Sequence, residues 1–453
     1  MNLKNKILEN INIEKIFGVI ATNKDGKKII ITALPNMIAD LRILRKKSDY
    51  INAQIYKIHN FKNLSNICKH HVFFDDSKNY SVCGCKWQIL PYQEQIKLKE
   101  QVIKDSFASD FFEKAYLFIV AENIFNYRNK MEFSFKYFIK DEVLSSWSLF
   151  HKQMFSKIVN IDNCLIADLI NKVFTYIREI LERSKLPVYD QKKHTFFRHL
   201  VIKQFNTNEV LVNLSVATKY FEENKQDITI WNKLQDILIQ DDFIKKNIKT
   251  FIITENNLLD VVREDIKVYN LFGFINEYLF VDGIKIYFKI SAFSFFQTNT
   301  LQAQKLFEVA KSMLPKIKNI LDLYCTTILT LLKSIEKLLV EIVEQAVEDA
   351  IYNAKLNNFQ DKAKFIVDKA ENINFNLEDI LVVVDPPRSL HKNVIDFIKL
   401  KKKQDFKLLY ISCNPVTMNR DLKILENYNF SIKKLKVDMF PNTHHMEMIG
   451  ILE

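Results

Sequence analysis

Two short runs near the C-terminus, Ile380-Leu381-Val382-Val383-Val384 and Leu408-Leu409-Tyr410-Ile411, limit what this chain can fold into. Neither alternates apolar with polar residues, so neither suits a strand with one wet face. Each reads as a parallel strand buried on both sides. The first ends in Asp385-Pro386-Pro387-Arg388, the second in Ser412-Cys413-Asn414-Pro415. Polar residues and proline in those places fit the carboxyl edge of an α/β sheet, where ligands bind. From Phe293 onward, strands over 320–324, 338–342 and 364–367 alternate with helices that include 343–357 and 391–401, and the chain closes on Met448-Ile449-Gly450-Ile451-Leu452. This alternation predicts a doubly wound α/β sheet.

Chemistry-bearing side chains fall at the expected edge. Cys413 follows one buried strand directly, where a thiol is placed to attack a bound molecule. The competing reading is a structural cysteine, the commoner fate of an isolated one. Glu341, at the end of the second strand, stands where such sheets hold a ribose diol. It points to an adenosine-type cofactor, with NAD and S-adenosylmethionine both allowed, or else to a glutamate that merely flanks the core.

The rest of the chain is long enough for two more domains. Residues 1–57 hold short β-rich blocks and an Asp25-Gly26 turn, which predict a small OB-like barrel. Lys27-Lys28 and the stretch from Arg42 to Lys47 give it a basic face, suited to nucleic acid or simply to solvent. Residues 58–290 mix helices over 98–112 and 165–184 with strands over 131–135, 200–203, 210–214, 250–254 and 285–290, an α+β central domain. Residues 291–453 form the third domain. Cys68, Cys83 and Cys85 cluster, and Cys164 lies further on. Together they could supply four thiolates to an iron–sulfur or zinc site, although Cys83-Gly84-Cys85 is tight spacing and reduced free thiols are the alternative. Tyr127-Arg128-Asn129-Lys130 offers a ring and cations to a base and its phosphate, or is a solvated loop.

The formal net charge of +11 favours a polyanionic partner. No apolar run reaches the roughly 20 residues of a membrane span. The first residues lack the apolar stretch of a signal peptide, so a cytoplasmic protein with no membrane partner is expected.

Taken in order, these stretches resemble one family over nearly the whole chain: the S-adenosylmethionine-dependent RNA uracil-C5 methyltransferases, and within it the branch acting on large-subunit (23S) ribosomal RNA. Residues 1–57 resemble its N-terminal TRAM barrel. Tyr127-Arg128-Asn129-Lys130-Met131-Glu132-Phe133 and Arg198-His199-Leu200-Val201-Ile202 resemble runs of its central domain. Ser294-Phe295-Phe296-Gln297-Thr298-Asn299 matches the start of its methyltransferase domain, and Asp385-Pro386-Pro387-Arg388, Ser412-Cys413-Asn414-Pro415 and Phe440-Pro441-Asn442-Thr443-His444-His445-Met446-Glu447 complete the series. The resemblance implies that Cys413 attacks C6 of uracil, making C5 reactive toward the methyl group, and that Glu447 then removes the C5 proton. It implies S-adenosylmethionine held by Gln297, Tyr324, Glu341, Asp368 and Asp385. It implies a structural 4Fe-4S cluster on Cys68, Cys83, Cys85 and Cys164, and a monomer acting on RNA. A non-catalytic RNA-binding or ribosome-assembly homologue, and a transfer-RNA enzyme, are the competing expectations.

Glycine sets the chain apart from that family. There are 6 in 453 residues, where ordinary usage of about 7% gives roughly 30. The loop Asp322-Leu323-Tyr324-Cys325-Thr326-Thr327-Ile328 lacks the glycines that flank the residue matching Thr326. Such glycines let the backbone turn sharply and approach a cofactor. Single glycines are also missing near Cys83-Gly84-Cys85, before Leu390 and between Val367 and Asp368. Either the protein is a decayed relative, or its source reads a stop codon as glycine and the written sequence has lost those residues. The second reading is preferred, because neutral decay does not remove one residue type while sparing cysteines and carboxylates.

Overall fold

The computed structural model describes residues 6–13, 19–22, 28–30, 37–46, 50–59, 86–107, 118–140, 143–148, 167–188, 195–257, 267–281, 283–290, 296–314, 319–324, 336–372, 379–386, 389–401, 406–426 and 440–452. These fall into two compact units.

The first unit holds the described residues up to Phe107 and the segment Pro441–His444. Strands β1 (Ile7–Ile13), β2 (Val19–Thr22), β3 (Lys28–Ile30), β4 (Met37–Lys46) and β5 (Tyr50–Ile58) form one sheet in the order β1-β4-β5-β3-β2. All pairs are antiparallel except β3 with β5. Ile13, Ala39, Leu41, Ile43, Ile51 and Ala53 bury its inner face. The sequence hides β4, because Arg42, Arg45 and Lys46 obscure the alternation of Ala39, Leu41 and Ile43. Helix α1 (Tyr92–Ser106) completes the unit. Its buried Gln95 side chain donates to the carbonyls of Trp87 and Leu90 and accepts from the Asn442 backbone N–H at 2.7 Å. The sequence places this helix over 98–112; Pro91, unable to sit inside a helix, fixes its start earlier.

In the second unit, β6 (Lys130–Lys140), β7 (Val143–Ser148), β8 (Phe197–Gln204), β9 (Val210–Val216), β10 (Thr250–Glu255) and β11 (Lys267–Phe272) form a sheet in the order β11-β10-β9-β8-β6-β7. Helix α2 (Asp168–Arg183) packs on it through Phe174, stacked on Phe133 at 3.9 Å. Helix α3 (Ile228–Gln240) lies between β9 and β10 in the chain, the one parallel pair. A hairpin of β12 (Ile275–Val281) and β13 (Ile284–Ile290) follows, then α4 (Thr300–Met313).

The last sheet comprises β14 (Asn319–Asp322), β15 (Glu336–Glu341), β16 (Ala363–Val367), β17 (Ile380–Val384), β18 (Phe406–Ser412) and β19 (Met448–Leu452). Between them run α5 (Glu344–Leu356), α6 (Lys392–Leu400) and α7 (Pro415–Glu426). The order is β16-β15-β14-β17-β18-β19, parallel except for the antiparallel edge strand β19. All five residues of β17 are buried, as a run without polar alternation requires. The hairpin and α4 cover one face of this sheet: Leu279, Ile286, Phe288, Ala303 and Leu306 share one apolar cluster with Leu381, Val383, Leu409 and Ile411. This is the expected doubly wound α/β architecture. Strand order reverses between β14 and β17, which opens a crevice at their carboxyl ends. Among the described residues no helix is long and apolar enough to cross a membrane.

Candidate active site

Everything at the carboxyl edge follows from where the strands stop. At the end of β14, buried Asp322 accepts the Tyr324 backbone N–H at 3.1 Å and so shapes the loop that presents Tyr324. Glu341 ends β15 and accepts the Val343 N–H at 2.9 Å, ahead of α5. Asp368 follows β16; its N–H donates to the Glu341 carbonyl at 3.0 Å, and its carboxylate accepts from Lys369 N–H and the Asn372 amide, both at 2.7 Å. A cleft of about 800 Å³ opens between these residues, with Ile342 and Ala370, and the opposite wall of Leu390, His391, Ile395 and Ile424. That volume lies within the range of about 300–1,000 Å³ typical of small-molecule sites. Its chemistry fits a nucleoside: a carboxylate at the second strand end for a ribose diol, and Ile342, 59% exposed, to flank a flat ring.

Cys413, Asp385 and Glu447 meet further along the same edge. Ser412 on β18 lies opposite Met448 on β19, so the next residues, Cys413 and Glu447, leave the sheet side by side. Val384 on β17 pairs with Tyr410 on β18, which brings Asp385 to the same edge. Cys413 is partly exposed. It directly precedes Asn414, whose side chain accepts the N–H groups of Val416 and Thr417 and caps α7, with Pro415 in the first turn. A helix N-terminus favours negative charge beside it, and the thiolate is the reactive form of cysteine. Asp385 is largely enclosed at this edge with part of its surface still open; desolvation pushes its carboxyl up to about 7. Glu447 is buried, and desolvation first, then the Asp385 charge, raise it well above the usual carboxylate range. Two carboxyls that repel each other in a desolvated site share fewer than two charges at neutral pH.

The remaining expected residues divide. Tyr324, Glu341 and Asp368 line the cleft together, whereas Gln297 and Asp385 are not among its lining residues. Gln297 belongs to a second meeting point: its carbonyl accepts the Asn129 side-chain amide at 2.8 Å, and Asn129 also donates to Thr298 and Thr300. The run Tyr127 to Lys130 thus braces the segment leading into α4, with Tyr127 buried. Arg198 and His199 are structural: Arg198 is buried and donates to the Asn256 carbonyl at 2.6 Å, and His199 contacts Ser134 at 3.0 Å, held down at about 4 by burial. Cys68, Cys83, Cys85 and Cys164 lie outside the described residues, among which no group of three metal-binding side chains occurs.

Asp421, on α7, was not visible in the sequence. Fully buried, it accepts the Tyr410 hydroxyl at 2.8 Å, the Leu390 N–H at 3.0 Å and Arg420 Nε at 2.9 Å. It ties together the strand that delivers Cys413, the loop that follows Asp385 and the helix that Asn414 caps. Burial and the neighbouring Asp421 push the Tyr410 phenol up, so it keeps its proton and donates. An acid in mid-helix is an ordinary surface residue by pattern alone, and only the fold buries it.

A profile of the tRNA (uracil-5-)-methyltransferases matches residues 91–453. An uncharacterized RNA methyltransferase of Clostridium acetobutylicum is 32% identical, covering 96% of this chain and 94% of its own. One from Caldanaerobacter subterraneus is 31% identical, covering 82% of each. Among solved structures, the tRNA (uracil-54, C5)-methyltransferase of Pyrococcus abyssi in complex with S-adenosyl-L-homocysteine has the same fold, with a TM-score of 0.67 and 23% identity over 98% of this chain and 100% of that one. The chain belongs to the tRNA (uracil-5-)-methyltransferase family, enzymes that methylate C5 of uracil in RNA.

Proposed function

We propose that Cys413 and Glu447 carry the two halves of uracil C5 methylation, and that the juxtaposition of these residues across the β18–β19 register is the observation that carries the reading. The Sγ thiolate adds to C6 of the target uracil. The C5=C6 electron pair moves toward O4, and C5 becomes nucleophilic. The cleft of Tyr324, Glu341 and Asp368 would hold S-adenosylmethionine, which when bound would supply the methyl group to C5 and be released as S-adenosylhomocysteine, the S–CH3 electron pair staying on sulfur. A carboxylate at Glu447 takes the remaining C5 proton; the electrons of that C–H bond restore the double bond and expel Sγ. Asp385, between cofactor and base, bears on Glu447 through its charge. Gln297, at the junction with the Asn129 loop, is assigned to the cofactor as a further contact. The target base has to leave its stack to reach the thiol.

RNA is the substrate class, and we assign large-subunit ribosomal RNA as the first target, with the N-terminal sheet as a TRAM-type RNA-binding element and Cys68, Cys83, Cys85 and Cys164 as ligands of a structural iron–sulfur cluster. A transfer-RNA target is the second reading, favoured by the full-length fold shared with the Pyrococcus abyssi tRNA enzyme. Both are tested together. Unmodified ribosomal and transfer RNA transcripts containing 5-fluorouridine are incubated with enzyme and S-adenosylmethionine. The fluorine blocks proton removal, so an adduct through Cys413 is expected on the true target and none with Cys413→Ala. An adduct through another side chain overturns the assignment of the nucleophile.

A further inference from the structure

The outward face of the β12–β13 hairpin is unlike an ordinary solvated strand pair. Its inward residues Ile275, Leu279, Val281, Ile286, Phe288 and Ile290 are buried in the core of the second unit. On the other face the register pairs Tyr278 with Tyr287 and Phe280 with Lys285. Phe280 and Tyr287 are 46% and 38% exposed. The Lys285 ammonium lies 4.0 Å from the Tyr278 ring centre, 5.1 Å from Tyr287 and 5.9 Å from Phe280. Lys289, on the same face, lies over Tyr352 of α5 at 4.9 Å and extends the surface onto that helix. The outward residues of the two strands, Asn276, Tyr278, Phe280, Lys285, Tyr287 and Lys289, include no acid.

The edges of the hairpin are closed. Asn357 of the loop after α5 accepts the Tyr287 N–H at 2.9 Å and donates to the Tyr287 carbonyl at 2.7 Å, and Asn353 accepts the Lys289 N–H at 2.8 Å. On the other strand, Gln304 accepts the Phe280 N–H at 3.0 Å. A protein partner that adds a strand finds these edge groups occupied. What stays available is a set of partly exposed rings with a lysine cation over one side of them, the chemistry that holds unstacked bases and their phosphates.

We propose that this hairpin face is a platform for single-stranded nucleotides of the RNA substrate: Tyr287 and Phe280 stack bases while Lys285 and Lys289 meet phosphates. The proposal rests on the RNA-methylating reading above and adds a contact surface to it. A labelled oligouridylate is titrated against the full-length protein, against Lys285→Ala/Tyr287→Ala and against Tyr287→Phe, with thermal melting to confirm folding. The expected result is a loss of at least about fivefold in affinity for the double variant, with wild-type affinity kept by Tyr287→Phe. The 5-fluorouridine adduct on full-length RNA, measured at saturating concentration, reports separately on the methylation chemistry and should be unchanged in yield. Unchanged oligonucleotide affinity in the folded double variant overturns the platform and leaves the face to a protein partner. Equal losses from Tyr287→Phe and the double variant overturn stacking as its basis. An absent adduct in wild type, with the affinity losses intact, overturns the methylation reading and not the platform.

Discussion

If Glu447 is the base, as proposed, two requirements pull against each other there. A base has to be ionised to accept the C5 proton, yet burial and the Asp385 charge hold this carboxyl in its protonated form. The rate of proton removal should therefore rise with pH into the neutral range and above, not level off near the ordinary carboxylate value. Glu447→Gln cannot take the proton at all. Its turnover should fall by about 10²–10⁴, while adduct formation through Cys413 persists, so that methylated RNA stays bound to the protein on denaturing gels. Asp385 bears on stability as well. With its folded-state value raised from 3.8 to about 7, the native state holds a proton that the unfolded chain releases across that window. Its contribution is thus fully present below about pH 4 and lost as pH rises to about 7. Asp385→Asn should stabilise the fold by on the order of a few kcal/mol at about pH 8 and leave its stability nearly unchanged at about pH 4, as chemical denaturation at the two pH values checks. Backbone demands show at the residue scale too. Seven described non-glycine residues have positive φ, and Asn10, Asn126, Asn208, Asn358 and Asn442 are five of them. Asparagine tolerates this region best after glycine, so it fills turns that a glycine-poor chain still has to make. Gly273 is one place where nothing else fits: a Cβ there would lie 1.8 Å from the Lys249 carbonyl oxygen.

Among the elements, α7 does more than cover the sheet. Its N-terminus is capped beside Cys413, and about two turns further on Asp421 holds Tyr410 and Leu390. Removing that acceptor strands a buried hydroxyl and a buried N–H. Asp421→Ala should cost about 1–3 kcal/mol by chemical denaturation, and should lower adduct formation more than it lowers S-adenosylmethionine binding, because the strand it fixes delivers the thiol. The segment from Phe440 onward shows the same economy of parts: Asn442 docks on Gln95 within the first unit, while Glu447, a few residues later, belongs to the second.

Over the whole molecule, 65 lysines and arginines against 54 acids give the chain its +11 charge. Release of counterions from RNA should make binding salt-dependent, with a slope of log K against log salt of about −0.7 for each single-stranded phosphate contacted. Lys285→Ala/Tyr287→Ala should make that slope shallower. The shortage of glycine is also a property of the whole chain. If the source reads a stop codon as glycine, in-frame stops will stand in the coding DNA at the gaps beside Thr326, Gly84, Leu390 and Asp368; uninterrupted sense codons there exclude that explanation.

The buried runs around Val383 and Leu409, the polar stops at Asp385 and Cys413, and the alternation of strands and helices were legible in the sequence because periodicity records burial residue by residue. Strand β4 was not, since Arg42, Arg45 and Lys46 diluted its pattern, and helix α3 was not, since Ile228, Ile230, Ile237 and Ile239 lie on its exposed side and blur its periodicity. Position at a strand end also picked out Cys413 and Glu341, whereas Glu447 came only from the resemblance to a known family. Only the tertiary structure decided that Cys413 and Glu447 leave neighbouring strands together, that Asp385 acts on Glu447, and that Arg198 and Asp421 are buried in the framework. Those facts depend on strand order and register, which bring together residues far apart in the chain and which no local pattern encodes.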